Sequence, residues 1–412
     1  MSRGGAVVLS VVVASAAASA AAPKPGSCGL AKLVEGRRET TAPSLPKPKK
    51  GVAWDEPDFH LCVTRATDHA AEGIDTFSRH DYSRRQAFNA DSSLFLTNSR
   101  DGGWYLYDAK TLKKLHALEG LAGDAEPQWH PSDPNVLYYG DRNGGLEIRA
   151  IDVRANQQKG TLIDLHGKLP WPNALRAWTK SEGSPSRDGR YWGFQVETGD
   201  FQILGFAVWD AVAKKLLGTM PARSRPDHVS MSPSGRWLVV SGEDGTVAWS
   251  PDFKQRREVH KKTEHSDLAV GANGHDYYVS IDYQNDGNVF MVDIDTGERT
   301  VLFRTYLSGS ATAVHFSGKA FDRPGWVLVS TYNDYGPSRW YMSKVFVMEL
   351  AANPRIYQLA SHHSAVKDAY FAEPQATVNR DFTLALFNSN WGVPASNDVD
   401  AYLITIPKGS FP

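Results

Sequence analysis

The sequence has almost no excess of either charge: 45 basic and 46 acidic residues leave a net charge of −1. A nucleic-acid-binding chain would show a basic excess or stripe, and none is visible, so that class is set aside. Cysteine is scarce too, with only Cys28 and Cys62, and no C-x-x-C pair occurs. The sequence lacks a G-x-S-x-G elbow and has no room for an appended hydrolase domain, so a serine-hydrolase reading fails. A P-loop and a G-x-G-x-x-G opening a helix are also missing. The nearest approaches to an acidic calcium loop, Asp282 to Gly287 and Asp293 to Gly297, read as hairpin turns. Long amphipathic helices are absent.

Long hydrophobic runs are confined to the start of the chain. After Arg3, Ala6 to Ala22 is built from Ala, Val, Leu and Ser, and Ala18-Ser19-Ala20 fits a small-residue cleavage site, with a second option after Ala22. The run is too short and too weakly hydrophobic for a membrane span. Residues 1–22 are therefore read as a cleaved export signal, and the mature chain is expected to be soluble in the periplasm or the medium. Residues 23–52, rich in proline and lysine, read as an extended arm. Export favours a Cys28–Cys62 disulfide that would pin this arm to the first strand; two buried thiols are the alternative.

What the chain does have is a repeat. Asp227-His228-Val-Ser-Met-Ser-Pro-Ser-Gly235 runs from a polar step through a small-residue strand into a tight turn, and an apolar strand follows. The same design recurs at Arg85 to Asp91, Glu126 to Asp133, Glu182 to Gly189, Glu264 to Gly274, Val314 to Gly318 and Glu373 to Asp381. The interval averages about 48 residues, within the range of propeller repeats. Seven copies predict an all-β, seven-bladed β-propeller in a single domain over residues 53–412. Leu61 to Thr67 precedes the first copy and Asp400 to Ile406 follows the last. One terminal strand completing the blade begun by the other would close the ring and remove its sheet edges. Wider spacing before blades three and seven marks insertions, with short helical turns expected near Pro170 to Lys180 and Ser361 to Tyr370.

Residues just before each inner strand of a propeller converge on one mouth of the channel. Here they are Arg85, Gln86, Glu126, Gln128, Glu182, His228, His265, His315, Glu373 and Gln375. A single histidine there is as well explained by capping or water; three at one register point to a site whose groups shift one another's pKa values. Imidazole with Glu and Gln oxygens suits a divalent metal, manganese or calcium, and zinc is a further option. Its ligands would be His265, His315, Glu373 and Gln375. His363, in the connection before blade seven, could reach the same mouth or sit in a solvated loop.

At Tyr82-Ser-Arg-Arg-Gln86, at Glu126-Pro-Gln-Trp-His-Pro-Ser-Asp-Pro-Asn135, and at Arg380-Asp381 with Phe387-Asn-Ser-Asn-Trp-Gly392, the chain resembles the propeller polysaccharide lyases. The resemblance is closest to the oligogalacturonate lyase group and more distant to the ulvan and rhamnose–glucuronate lyases. It covers most of residues 60–406. It implies manganese held by channel-mouth histidines and a glutamine, with a further histidine as base. The family's last-blade His-Pro-His-Pro corresponds here to Glu373-Pro374-Gln375-Ala376, a departure at the metal site. The second motif also resembles one in non-catalytic Tol-type periplasmic propellers.

β-Elimination needs a base for the proton beside the uronate carboxylate, a cation for the enolate-like charge, and an acid for the leaving oxygen. His228 or His265 suits the base role. Arg85, Arg225 or a metal suits the cation, and Tyr82 the acid. Glu126, Gln128, Glu182, Gln86 and His363 are the expected substrate contacts. The expected protein is an exported monomer cleaving a uronate-containing poly- or oligosaccharide. The alternatives are a non-catalytic Tol-type binding propeller and hydrolysis by paired carboxylates such as Glu126, Glu182 and Glu373.

Overall fold

The computed structural model describes Cys28 and residues 32–411; the expected export segment lies outside them. Seven sheets, antiparallel except where Phe77–Ser78 runs parallel to Val399–Asp400, succeed one another along the chain and form a seven-bladed propeller. Blade one is built from Leu94–Asn98, Trp104–Asp108 and Lys114–Ala117, with its inner edge reduced to a bridge between Phe88 and Phe95. Blade two starts at Gln128–Trp129 and blade three at Arg176–Trp178. Blades four, five and six start at His228–Met231, Ser266–Val270 and Ala311–Ser317. Gln128, His228 and His315 therefore lie within their inner strands and not just before them, because the ladder extends further toward the mouth than the turn spacing implied. Blade three thus begins where a helical turn was expected: turns precede Arg176, and among the described residues the one helix is a 3-10 turn at Tyr370–Ala372.

The middle strands are apolar on both faces because each blade packs between two others. Trp326 to Tyr332 and Lys344 to Met348 are buried without a break, whereas the outermost strand of blade two, Gln157–Asp164, is mostly exposed. The repeated inner turn has a steric reason for its glycine. Gly235 sits at φ 78° and a Cβ there would lie 2.2 Å from the Tyr191 ring, so only glycine fits without displacing blade three.

Blade seven closes the ring. Thr377–Val378, Leu384–Ser389 and Val399–Thr405 come from the end of the chain, and Cys62–Arg65 and Ala53–Asp55 from its start. Thr64 pairs with Leu403 and Arg65 with Tyr402. Asp400, buried in this seam, accepts from Arg65 Nη2 at 2.7 Å and His69 Nδ1 at 3.1 Å, and pairs with Lys47 at 2.9 Å. Despite its burial, the His69 hydrogen bond and the Lys47 and Arg65 charges hold its carboxyl well below the usual range.

The arm is extended, as read from its prolines. Its Glu35 bridges Tyr357 on the outer strand of blade six, Arg38 exchanges hydrogen bonds with Gln358, and Leu45 accepts from the Trp391 indole. The arm so covers a sheet edge that would otherwise be open. Cys28 and Cys62 form the disulfide that fastens it to blade seven.

Candidate functional site

The connections entering the inner strands do meet at one end of the channel, and their backbone is strained there. Glu126, Ser181, Glu182 and Gln375 all have left-handed φ, at 50°, 54°, 57° and 39°. Each costs roughly 1–3 kcal/mol in a non-glycine residue, and such residues gather where the surroundings need a particular side-chain placement.

Below the mouth lies a layer of buried arginines from the segment before blade one. Arg85 is fully matched: it pairs with Asp81, bonds Glu126 at 2.8 Å and donates to the Pro127 carbonyl at 3.0 Å. Arg79 donates to the carbonyls of His80 and Asp81 and, at 2.8 Å, to Gln375 Oε1. Arg84 differs from both. Its side chain is 7 % exposed and, among the described residues, its only ion pair is with Glu182, at 3.6 Å. Among the described residues it makes no hydrogen bond, which is what sets it apart, since an Nε buried without a partner is shared with Arg79. Its guanidinium lies 4.7 Å over the Tyr82 ring. A buried cation left this incompletely bonded is costly unless something binds it.

Above the arginines stand the aromatic bases. His315 stacks on His265 at 4.5 Å and on Tyr332 at 4.7 Å, and meets Tyr82 edge-on at 5.1 Å. Its Nε2 lies 2.9 Å from Glu373, whose carboxylate also accepts from Gln375 at 3.4 Å. His265 Nδ1 is 3.1 Å from the Val314 carbonyl, and His228 Nδ1 is 2.9 Å from the Ser181 carbonyl. A carbonyl only accepts, so in both residues Nδ1 carries the proton and Nε2 keeps its lone pair.

Burial governs the titration of all three. His315 is pushed down to about 3 by burial and then by the Arg84 and Arg79 charges. His265 is pushed down to about 3 by burial, His315 and Arg84. His228 falls well below its ordinary value through burial and Arg84. All three are neutral at pH 7. Burial raises the Tyr82 phenol, which stays protonated. Glu126 is raised to about 7 by burial against the pull of Arg85, with the Glu182 charge adding to the rise.

Eight of the ten expected mouth residues therefore share this space. Gln86 and Gln128 line a separate cavity with Trp129, Arg187, Lys319 and Arg380. Gln128 donates to the Gly183 carbonyl at 2.7 Å and Gln86 to the Lys319 carbonyl at 3.4 Å. Arg225 is engaged elsewhere, 2.7 Å from the buried Glu197. His363 turns away to stack on Trp391 at 4.5 Å. Arg84, Arg79 and Tyr332 were missed in the sequence. The first of them stands inside the Tyr82-Ser-Arg-Arg motif beside Arg85, and two adjacent arginines offer no sequence signal for which one is left unpaired.

The four expected metal ligands are neighbours, but among them His265 alone keeps a free donor, its Nε2, and the other three offer donors that are already engaged. Gln375 Oε1 accepts from Arg79, His315 Nε2 is taken by Glu373, and two guanidinium charges lie alongside. Among the described residues, three His/Asp/Glu groups have donors close enough for an ion: His69 with Asp398 and Asp400, Glu147 with Asp164 and His166, and His275 with Asp293 and Asp295. None is in the mouth. The mouth residues do not fit a resident divalent ion.

No protein-family model matches the chain, and no curated protein matches it. Solved structures do. An oligogalacturonate lyase from Vibrio parahaemolyticus is 14% identical with a TM-score of 0.60, and the match covers 87% of this chain and 97% of that one. An oligogalacturonate lyase in complex with manganese is 13% identical with a TM-score of 0.61 and the same coverage. At such identity the likeness is one of fold.

Proposed function

We propose that the chain is an exported lyase that cleaves a uronate-containing glycan by β-elimination, with Arg84 as the carboxylate-binding cation. The observation that carries this reading is Arg84 itself, a buried and under-bonded guanidinium beside a phenol and three neutral imidazoles. A uronate carboxylate bound there would supply the hydrogen bonds that the guanidinium lacks, and the guanidinium would stabilise the charge that develops on that carboxylate.

His265 is the base. It is less buried than His228 and His315, and its free Nε2 takes the proton from the carbon next to the carboxylate. The C–H electrons form the new double bond as the bond to the 4-O-linked sugar breaks, and Tyr82 donates its proton to the departing oxygen. The depressed affinity of His265 for a proton has a compensating feature. Arg84 is one cause of that depression, so an arriving carboxylate that offsets its charge makes His265 a stronger base when it is needed. His315 positions His265 by stacking and is held in turn by Glu373.

Manganese is bound in one of the similar structures. For this chain no step is assigned to a metal, because three of the four expected ligands offer engaged donors and Arg79 and Arg84 already place positive charge there.

The test is ultraviolet absorbance over a panel of polyuronates and glucuronate-capped glycans, since elimination creates a conjugated chromophore that the substrate lacks. Product absorbance should rise on at least one substrate. It should fall by about 10²–10⁴-fold in His265→Ala and Tyr82→Phe, the range expected for loss of a general base or acid. A flat trace across the panel with folded protein would transfer the assignment to a non-catalytic, Tol-type binding propeller.

A further inference from the structure

We propose that Glu182 is a resident counter-ion for Arg84, which it holds in the free protein and releases when a substrate carboxylate takes its place. This rests on the reading of Arg84 as the uronate-binding group.

Three observations lead to it. First, the two carboxylates of Asp81 and Glu126 are committed to Arg85. That leaves Glu182 as the one ion-pair partner of Arg84 among the described residues, at a distance longer than a hydrogen bond. Second, the Glu182 side chain is 28 % exposed against 7 % for Arg84, so the carboxylate lies on the solvent side and an entering ligand meets it first. Third, the backbone of Glu182 is fixed while its side chain is not. Its N–H donates to Glu126 at 3.1 Å, whereas its carboxylate accepts no hydrogen bond from any described residue. A carboxylate with a rigid base and no bond of its own can swing aside without breaking other structure.

The charges around it set the cost of that movement. Asp81, Arg84 and Arg85 face Glu182 from the segment before blade one, Lys180 from its own connection, and Glu126 from the entry to blade two. Tyr82, Tyr370 and Arg79 also face it, and Asp227 and Asp267 act on Arg84 from the sides of blades four and five. A uronate on Arg84 adds a further negative charge beside Asp81, Glu126 and Glu182. The released carboxylate is accommodated by taking up a proton, and burial already raises both Glu126 and Glu182. Uronate binding should therefore strengthen as the pH falls, because protonation of Glu182 frees Arg84.

The experiment is calorimetric titration of the full chain with galacturonate, with glucuronate and with the methyl ester of each. Glu182→Gln should bind the acids about tenfold more tightly than the parent, the coupling expected of an opposite charge within 4–6 Å, and should not gain for the esters. The parent's pH dependence should flatten in the same variant. Equal or weaker binding of the acids by Glu182→Gln overturns the proposal, as does a parent affinity that does not change with pH. Failure of the underlying reading looks different: parent and Arg84→Ala would then treat acid and ester alike.

Discussion

His265, at the entry to blade five, and His315, within the first strand of blade six, stack ring on ring at 4.5 Å, and both are neutral at pH 7. The unfolded chain protonates these rings near their ordinary value of 6.5, while the folded chain resists until about pH 3. The unfolded state thus binds more protons throughout that window, so stability is complete above about 6.5 and is lost as the pH falls. Each ring forfeits up to about 1.4 kcal/mol per pH unit. Urea denaturation at successive pH values should show the midpoint falling below pH 6.5, with a shallower fall in His315→Gln. A midpoint that holds steady to pH 5 would contradict the buried, neutral assignment.

Arg84 and Arg85 are adjacent in sequence and should fail in opposite ways. Arg85 bonds two carboxylates and a carbonyl from within the protein, so Arg85→Met should lower unfolding stability by about 3–5 kcal/mol, as expected when one partner of a buried ion pair is removed. Arg84→Met breaks no hydrogen bond between described residues. It should retain most of the stability and lose product absorbance by about 10²–10³-fold, the size of effect seen when a transition-state charge loses a donor. Equal stability losses in the two variants would reject the distinction.

The arm depends on its covalent tie. Cys28 and Cys62 close a loop of 34 residues in sequence separation, for which chain entropy predicts about 3–4 kcal/mol. Cys28→Ser, or reduction of the parent, should lower the denaturation midpoint accordingly. An unchanged midpoint would show that contacts such as Arg38 with Gln358 hold the arm unaided.

Dialysis against a chelator should alter neither the melting temperature nor the rate of product formation. Gln375, His315 and Glu373 are engaged by Arg79 or by each other, and a lone free imidazole nitrogen on His265 does not hold an ion. A loss of activity restored by manganese would refute that assignment and return His265, His315, Glu373 and Gln375 to the role of ligands.

The architecture was legible because it repeats. Seven copies of a polar step, a small-residue strand and a glycine turn predicted seven blades, and Gly235 against Tyr191 shows the steric reason for the glycine. Ring closure by the two terminal strands was legible too, from Leu61 to Thr67 and Asp400 to Ile406 having no repeat of their own. The site was legible only as a register. Position in the repeat brought His228, His265, His315, Glu182 and Glu373 to one mouth, but it could not reveal which side chains were already satisfied. Arg225 is engaged by Glu197, a residue of the preceding blade, and His363 by Trp391; neither pairing has a local signature. Gln86 and Gln128 lie only one and two residues beyond Arg85 and Glu126, and that small advance along the chain puts them in a separate cavity.

The composition of blade seven separates two events that are easily taken for one. The disulfide joins Cys28 to Cys62, both near the start of the chain, while Cys62–Arg65 finds its strand partner in Val399–Thr405 near the other end. The covalent bond therefore fastens a strap to a strand but does not lock the circle. What keeps the circle shut is noncovalent: the ladder from Cys62 to Arg65 and the ions gathered on Asp400. An oxidised chain can open at this seam and still keep its disulfide, so the seam, more than the bond, limits how long the ring stays closed.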